Sequence, residues 1–281
     1  LLGNAESAAT LEIPLTPARF RFRAEQAFSI AGAVCGARLD NRELPGIWTG
    51  VARAGQVLKL GGITQGARAY LAVPGGIDVP VVLGSRSTQL REAFGGLEGR
   101  VLAVGDSVKP INNTWGKLPT DGLSAGMPEL RHNDVITLRV LPSAEHDNFS
   151  PLSRQAFWST PYRVSPLCNR QGYRLEGEDL LWESTTELRS HGIVPGIVQV
   201  PGNGQPIIQL ADTATMGGYP AIGAVIEPDL WRIAQARPGE YLQFVRVDLE
   251  EAARAESEQQ DYLASLSASL TEARELHRSW N

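Results

Sequence analysis

Residues 136–140 read Ile136-Thr137-Leu138-Arg139-Val140, apolar and polar side chains in strict alternation. Successive side chains on a strand point to opposite faces, so this order sends Ile136, Leu138 and Val140 one way and the two polar groups the other. A helix of 3.6 residues per turn does not sort them so. Arg19-Phe20-Arg21-Phe22-Arg23 repeats the pattern, and both stretches predict strands with one buried and one wetted face. Working outward, strands are predicted over 56–60, 67–73, 193–200, 206–210, 221–226 and 241–247, where short apolar runs end in turn residues.

The 29 Gly and 18 Pro are dispersed among these runs rather than gathered in one tract, which punctuates a mainly β chain of the barrel or sandwich kind. A length of 281 residues suits two domains, each with its own core. Between Lys109 and Asp134 periodicity gives way to Pro, Gly, Asn and Asp. The expected division is therefore a first β domain over 1–110, a linker or partner-facing loop over 111–134, a second β domain over 135–248 and a terminal helix over 249–281. A short helix is predicted in "EPDLWRIAQARPGE" (227–240), with Asp229 near its start, Leu230 and Ile233 on one side and Pro238-Gly239 stopping it. In the tail, Leu263, Leu266, Leu270, Ala273, Leu276 and Trp280 recur at helical spacing. That stripe either packs on its own domain or docks a second chain.

A hydrophobic fraction of 42% and a charged fraction of 20% are those of a soluble globular protein, and no apolar run nears the roughly 20 residues that cross a bilayer. A net charge of -5 argues against binding to a nucleic-acid backbone. Cys35 and Cys168 are the two cysteines, too few for a disulfide framework, so a cytoplasmic setting is expected. The chain opens on Leu1-Leu2-Gly3-Asn4 as if in mid-element, which suggests a further native segment before it.

No Gly-x-x-x-x-Gly-Lys-Ser/Thr cradle, dinucleotide fingerprint or Gly-x-Ser-x-Gly elbow occurs. The four histidines (His132, His146, His191, His277) lack metal-ligand spacing, so no metal site is expected. Met127 and Met216 have no adjacent Lys, so a Met-Lys-Met biotin attachment site is absent.

Two clusters carry candidate chemistry. In "YLAVPGGIDVPVVLGSRST" (70–88), Gly75 and Gly76 can adopt conformations that expose amides, while Asp78, Ser85, Arg86 and Thr88 add an acid, hydroxyls and a cation. Such a loop suits a small anion, with Arg86 gripping a carboxylate; alternatively Asp78 caps a turn and Arg86 pairs with a surface acid. The second cluster gathers Arg170, Tyr173, Arg174, His191, Gln199, Asp212 and Thr213 among glycines and strand-like runs. His191 can exchange a proton near neutrality and Asp212 can orient or accept one, although a lone His or Asp is more often structural.

Read together, "GARAYLAVPGGIDVPVVLGSRST", "GGLEGRVLAVGD", "GYRLEG", "SHGIVPGIVQVPGNGQPIIQLAD" and "TMGGYPAIGAV" resemble, in order, the allophanate hydrolase subunit 2 or biotin-dependent carboxyltransferase family, from Leu1 to about Val247. The resemblance implies two tandem cyclophilin-like β-barrel domains. The branch it most resembles, which includes the C subunit of 5-oxoprolinase, implies opening of 5-oxo-L-proline to glutamate. That activity takes ATP as a co-substrate, held in large part by partner subunits A and B, with little or none expected from one chain alone. Two other branches remain: the carboxyltransferase part of a urea or amide carboxylase, and a non-catalytic antagonist of a kinase inhibitor. The family's usual opening segment, with a Thr-Val-Gln-Asp-type motif, is not matched, and Cys168 stands where Ser is usual.

Overall fold

In the computed structural model, which describes residues 1–279 apart from 15, 186 and 187, with side chains as far as 275, packing divides the chain into two units. One comprises Leu1–Met127 together with the stretch from Ala264, and the other Pro128–Leu263.

The first unit carries β1 (Leu11–Ile13), β2 (Ala18–Arg21), β3 (Gln26–Val34), β4 (Arg38–Leu39), β5 (Arg42–Glu43), β6 (Trp48–Ala52), β7 (Val57–Leu60), β8 (Gln65–Ala72) and β9 (Leu123–Ser124). They form two sheets, in the orders β1-β8-β3-β6-β9 and β2-β7-β4-β5. One core joins them, with Ile13, Phe28, Leu39, Trp48, Leu58 and Leu71 buried in it. Phe28 anchors that core, its ring 4.8 Å from Phe22 and 5.1 Å from Trp48. The alternation in 19–23 places Arg19 and Arg21 outward and Phe22 inward, with the strand ending at Arg21. β3, the longest strand, had no alternation to betray it: Ala27, Phe28, Ser29 and Ile30 are all buried, as a strand covered on both faces requires. The polar segment after Lys109 contributes β9, which pairs with β6 through Leu123 and Ser124.

The second unit carries β10 (Val135–Pro142), α1 (Pro151–Ser159), β11 (Tyr162–Val164), β12 (Gly172–Glu176), β13 (His191–Gly192), β14 (Ile197–Gln199), β15 (Ile207–Gln209), β16 (Met216–Gly217), β17 (Ala221–Val225), α2 (Leu230–Ala234) and β18 (Tyr241–Arg246). A closed barrel runs β10-β17-β14-β15-β12-β11-β18, and the parallel pairing of β10 with β18 closes it. Ile136, Leu138 and Val140 point into this barrel and are buried, as their alternation predicts. Phe157 and Phe244 stack at 4.5 Å inside, with Tyr162 beside them. α1 begins where Ser150 Oγ accepts the Ser153 N–H at 3.1 Å and Pro151 takes a first-turn position.

The predicted short helix is α2, preceded by a 3-10 turn over Glu227–Asp229 and ending well before Pro238. Asp229 does not cap it. Its buried carboxylate instead accepts the Arg139 backbone N–H at 2.8 Å and the guanidinium at 2.7 and 3.0 Å. The predicted strand over 193–200 is cut to β14 because Gly196 takes a positive φ of 95°. The tail forms α3 (Leu249–Ser279). On it Ala255 and Leu270 are buried whereas Leu263 is exposed; the Leu276 side chain and Trp280 of the predicted stripe lie outside the described residues. Among the described residues no helix is long and apolar enough to cross a membrane.

Candidate functional site

One end of the β12–β15 strand pair brings much of the second cluster together. The Asp212 N–H donates to the Arg170 carbonyl at 3.1 Å, and the Leu210 N–H to the Gln171 carbonyl at 2.9 Å, so the turns before β12 and after β15 lie side by side. The Ile193 N–H donates to the Thr215 carbonyl at 3.0 Å, which ties the β13–β16 ribbon, and His191 with it, to the same loops. His191 Nδ1 lies 3.3 Å from the Arg189 carbonyl. A carbonyl only accepts, so Nδ1 is the donor in this contact and Nε2 is the ring nitrogen it leaves over. Among the described residues no hydrogen bond or ion pair joins His191 to Asp212.

Below that rim runs a relay of side chains. Thr213 Oγ1 donates to Gln209 Oε1 at 2.6 Å, Gln209 Nε2 donates to Gln199 Oε1 at 2.9 Å, and Gln199 Nε2 donates to the Tyr219 carbonyl at 3.3 Å. Gln199 is 3% exposed and sits where the β14–β17 register shifts, so its amide is oriented by partners rather than by water. The β16 strand approaches closely: a Cβ on Gly217 would stand 2.4 Å from Ile193 Cδ1 and 3.1 Å from Gln199 Nε2, so both side chains would have to shift. Gln209 was missed in the sequence because it reads as one more residue of the apolar run "PIIQL". Its place diagonally across from Gln199 in the β14–β15 pairing is what gives it a role.

Other members of the cluster are placed differently. Tyr173 is 3% exposed in the barrel core, and its hydroxyl donates to the Ala236 carbonyl at 3.2 Å. Packing accounts for this side chain. Arg174 stands on the outer face of β12 and Arg170 is exposed on the preceding turn. Cys168 is half-buried, with its thiol donating to the Ser165 carbonyl at 2.8 Å.

In the first unit, Gly75 and Gly76 have φ of 72° and 85°, the left-handed turn the sequence predicts. Their amides, however, are engaged. The Gly75 N–H donates to Asn4 Oδ1 at 2.8 Å, and the Gly76 N–H to the Val73 carbonyl at 2.9 Å. Asn4 Nδ2 donates to that same carbonyl at 2.8 Å, completing a closed bracket. Asp78 and Ser85 are exposed, Thr88 is half-buried against Gly96, and the Arg86 guanidinium donates to the Val79 carbonyl. A cavity of about 80 Å³ in this unit is walled by Ile30, Ala33, Val34, Cys35, Leu44 and Leu60, an apolar lining unsuited to a charged substrate. No group of acids, histidines and cysteines among the described residues is arranged to hold a metal ion.

A closed β-barrel with a polar rim, joined in one chain to a two-sheet unit, makes this a two-unit, mainly β protein. Residues 1–246 match the family described as carboxyltransferase domain, subdomain A and B, and the chain belongs to that family. It is 44% identical to the C subunit of 5-oxoprolinase from Escherichia coli K12, over 95% of this chain and 84% of that one. The 5-oxoprolinase C subunit of Haemophilus influenzae is 38% identical, over 94% and 83%. The crystal structure of the K. lactis urea amidolyase superposes with a TM-score of 0.84 at 27% identity; the match covers 92% of this chain and 17% of that one.

Proposed function

We propose that this chain is the C subunit of an ATP-dependent 5-oxoprolinase, a hydrolase that acts with subunits A and B on 5-oxo-L-proline. The observation that carries the reading is the 44% identity to the Escherichia coli protein across 95% of the chain.

A lactam carbonyl is a poor electrophile. Transfer of the γ-phosphoryl group of ATP to the carbonyl oxygen, with ADP leaving, makes its carbon open to water. The C–N bond then breaks as nitrogen takes a proton, and a second water releases phosphate from the acyl phosphate, leaving glutamate. Within this sequence Arg170 grips the substrate carboxylate, Asp212 and the Nε2 lone pair of His191 move protons, and the Thr213–Gln209–Gln199 relay fixes the hydrogen-bonding direction at the rim. The partner subunits supply much of the ATP site, since this chain lacks a nucleotide motif and the Gly75 and Gly76 amides already have partners.

The test is reconstitution. The three subunits together are expected to form glutamate and ADP from 5-oxoproline, while this chain alone forms neither; a complete mixture that makes no glutamate sinks the reading. A second reading, the carboxyltransferase part of a biotin-dependent urea carboxylase, is favoured by 31% identity to the urea amidolyase of Saccharomyces cerevisiae over 93% of this chain. It requires a biotinylated partner, which avidin blotting of the co-purified complex would reveal.

A further inference from the structure

The relay at the second rim has a fixed polarity, and a backbone group sets it. The two ends of a Gln side chain are told apart by their partners, since the NH2 group donates and Oε1 accepts. The Tyr219 carbonyl only accepts, so the end of Gln199 that faces it at 3.3 Å is the NH2 group. Gln199 Oε1 therefore faces Gln209, which must turn its own NH2 group toward it at 2.9 Å. That leaves Gln209 Oε1 toward Thr213 at 2.6 Å, a separation that two opposed lone pairs could not hold. The hydroxyl hydrogen of Thr213 is thus spent inward. A hydroxyl has one hydrogen and two lone pairs, so what Thr213 Oγ1 keeps for a ligand is acceptor capacity alone.

Reversing this order would start at its most buried member. Turning the Gln199 amide over would set Oε1 against the Tyr219 carbonyl, oxygen to oxygen, at a side chain shut off from water. The turn itself adds no donor, because the Asp212 N–H goes to the Arg170 carbonyl at 3.1 Å and the Thr213 N–H to the Leu210 carbonyl at 3.0 Å. Thr213 is half-buried on the turn after β15, and the first of those bonds holds the turn that bears Arg170 alongside. A carbonyl or carboxylate oxygen brought to Thr213 Oγ1 would meet lone pairs with lone pairs. An N–H group would find a partner.

We propose that Thr213 Oγ1 accepts the lactam N–H of 5-oxo-L-proline and so selects a cyclic amide over the matching lactone, an inference that rests on the function proposed above. In this substrate the ring nitrogen is bonded to the carbon that carries the carboxylate. One molecule can therefore meet Thr213 through its N–H and Arg170 through its carboxylate, from two turns that lie side by side. Opening of the ring puts an ammonium group where the N–H was, which is again a donor. The contact is thus made before and after the chemistry, and it acts on binding more than on the barrier.

The experiment uses the complex reconstituted from the three subunits, with 5-oxo-L-proline as substrate and its lactone counterpart, 5-oxotetrahydrofuran-2-carboxylate, as competitor. Thr213→Val keeps the branched shape and removes the oxygen; Thr213→Ser keeps the oxygen. Thr213→Val is expected to raise KM for 5-oxoproline about tenfold with a smaller change in kcat, and Thr213→Ser to restore the natural KM. The inhibition constant of the lactone should be the same in all three, since it has no N–H to lose. A variant that loosens the rim without touching the substrate would weaken lactam and lactone alike, and that result overturns the proposal, as does an unchanged KM in Thr213→Val. Should Thr213→Val fail to assemble, the natural complex decides: it is expected to hold the lactone at least tenfold more weakly than 5-oxoproline, and equal affinity overturns the proposal. A complete natural mixture that forms no glutamate overturns the function and this inference together, and is seen before any variant is made.

Discussion

The turn at Gly75–Gly76 and the turn at Asp212–Thr213 both end apolar strands, and both surround polar groups with glycine. In the first, the polar groups satisfy one another: the side chain of Asn4 spans the Gly75 amide and the Val73 carbonyl, and the Gly76 amide returns to that carbonyl. In the second, a part-buried line of hydrogen bonds runs from the Tyr219 carbonyl through Gln199 and Gln209 to Thr213, and ends beside the loop that bears Asp212. A glycine turn becomes an anion site when its N–H groups are left without partners; a turn that has already partnered them is architecture. By that measure both turns are architecture, since the Asp212 and Thr213 amides are partnered as well; the difference lies in the side chains, a closed bracket at the first rim and a chain of side-chain amides at the second, where the proposed chemistry is placed.

The sharpest way to break that contrast is at Gln199. Gln199→Ala removes the partners of the part-buried Gln209 amide and the Tyr219 carbonyl, with an expected cost of about 1–2 kcal/mol in urea unfolding and at least a tenfold loss of glutamate formation by the reconstituted complex. Full activity in that variant would remove the relay from the chemistry. Asn4→Ala is the counterpart on the first rim. It should cost about 1–2 kcal/mol of stability and leave kcat unchanged; a large fall in kcat with the fold intact would make the first rim chemical too and dissolve the contrast. The smallest effect concerns Asp106, in the irregular stretch of the first unit between Asp78 and Lys109. The Arg100 guanidinium and then the Ala103 N–H hold its carboxyl at about 2, below the ordinary 3.8. Because the folded value is depressed, the associated stabilisation is complete above the ordinary value and fades as pH falls through 3.8 toward 2. Carboxyl NMR titration should find the depressed midpoint and see it rise in Arg100→Gln, with little change in global stability because the pair is exposed.

Strands with one wet face were legible. β2 and β10 announce themselves through alternating Arg/Phe and Ile/Thr/Leu/Arg/Val, because water and core select opposite chemistry at successive positions. β3 was not legible, since both of its faces are covered and its small residues Ala27, Ser29, Ala31 and Gly32 carry no period. The start of α1 was written in Ser150-Pro151 and could have been read. The site divides along the same line. Arg170, Asp212 and Thr213 were singled out as polar groups among glycines and strand-like runs, and the structure sets their loops together. Tyr173 was singled out with the other polar groups of the cluster, yet it is buried in the barrel core and its hydroxyl donates to a backbone carbonyl 63 residues away in sequence. Gln209 was hidden by its apolar neighbours, and pairing across strands, which no local pattern encodes, gives it its role.

The seam that closes the barrel joins the strand made first in that unit to the one made last, Val135–Val140 alongside Tyr241–Arg246. During synthesis β10 must therefore wait, with one row of backbone groups unmatched, until nearly the whole unit has left the ribosome. Release of the nascent chain before Tyr241 would leave two sticky margins and no means of mending them. For this half of the molecule, ribosome stalling inside the final strand is thus a route to aggregation rather than to a shortened but serviceable fold.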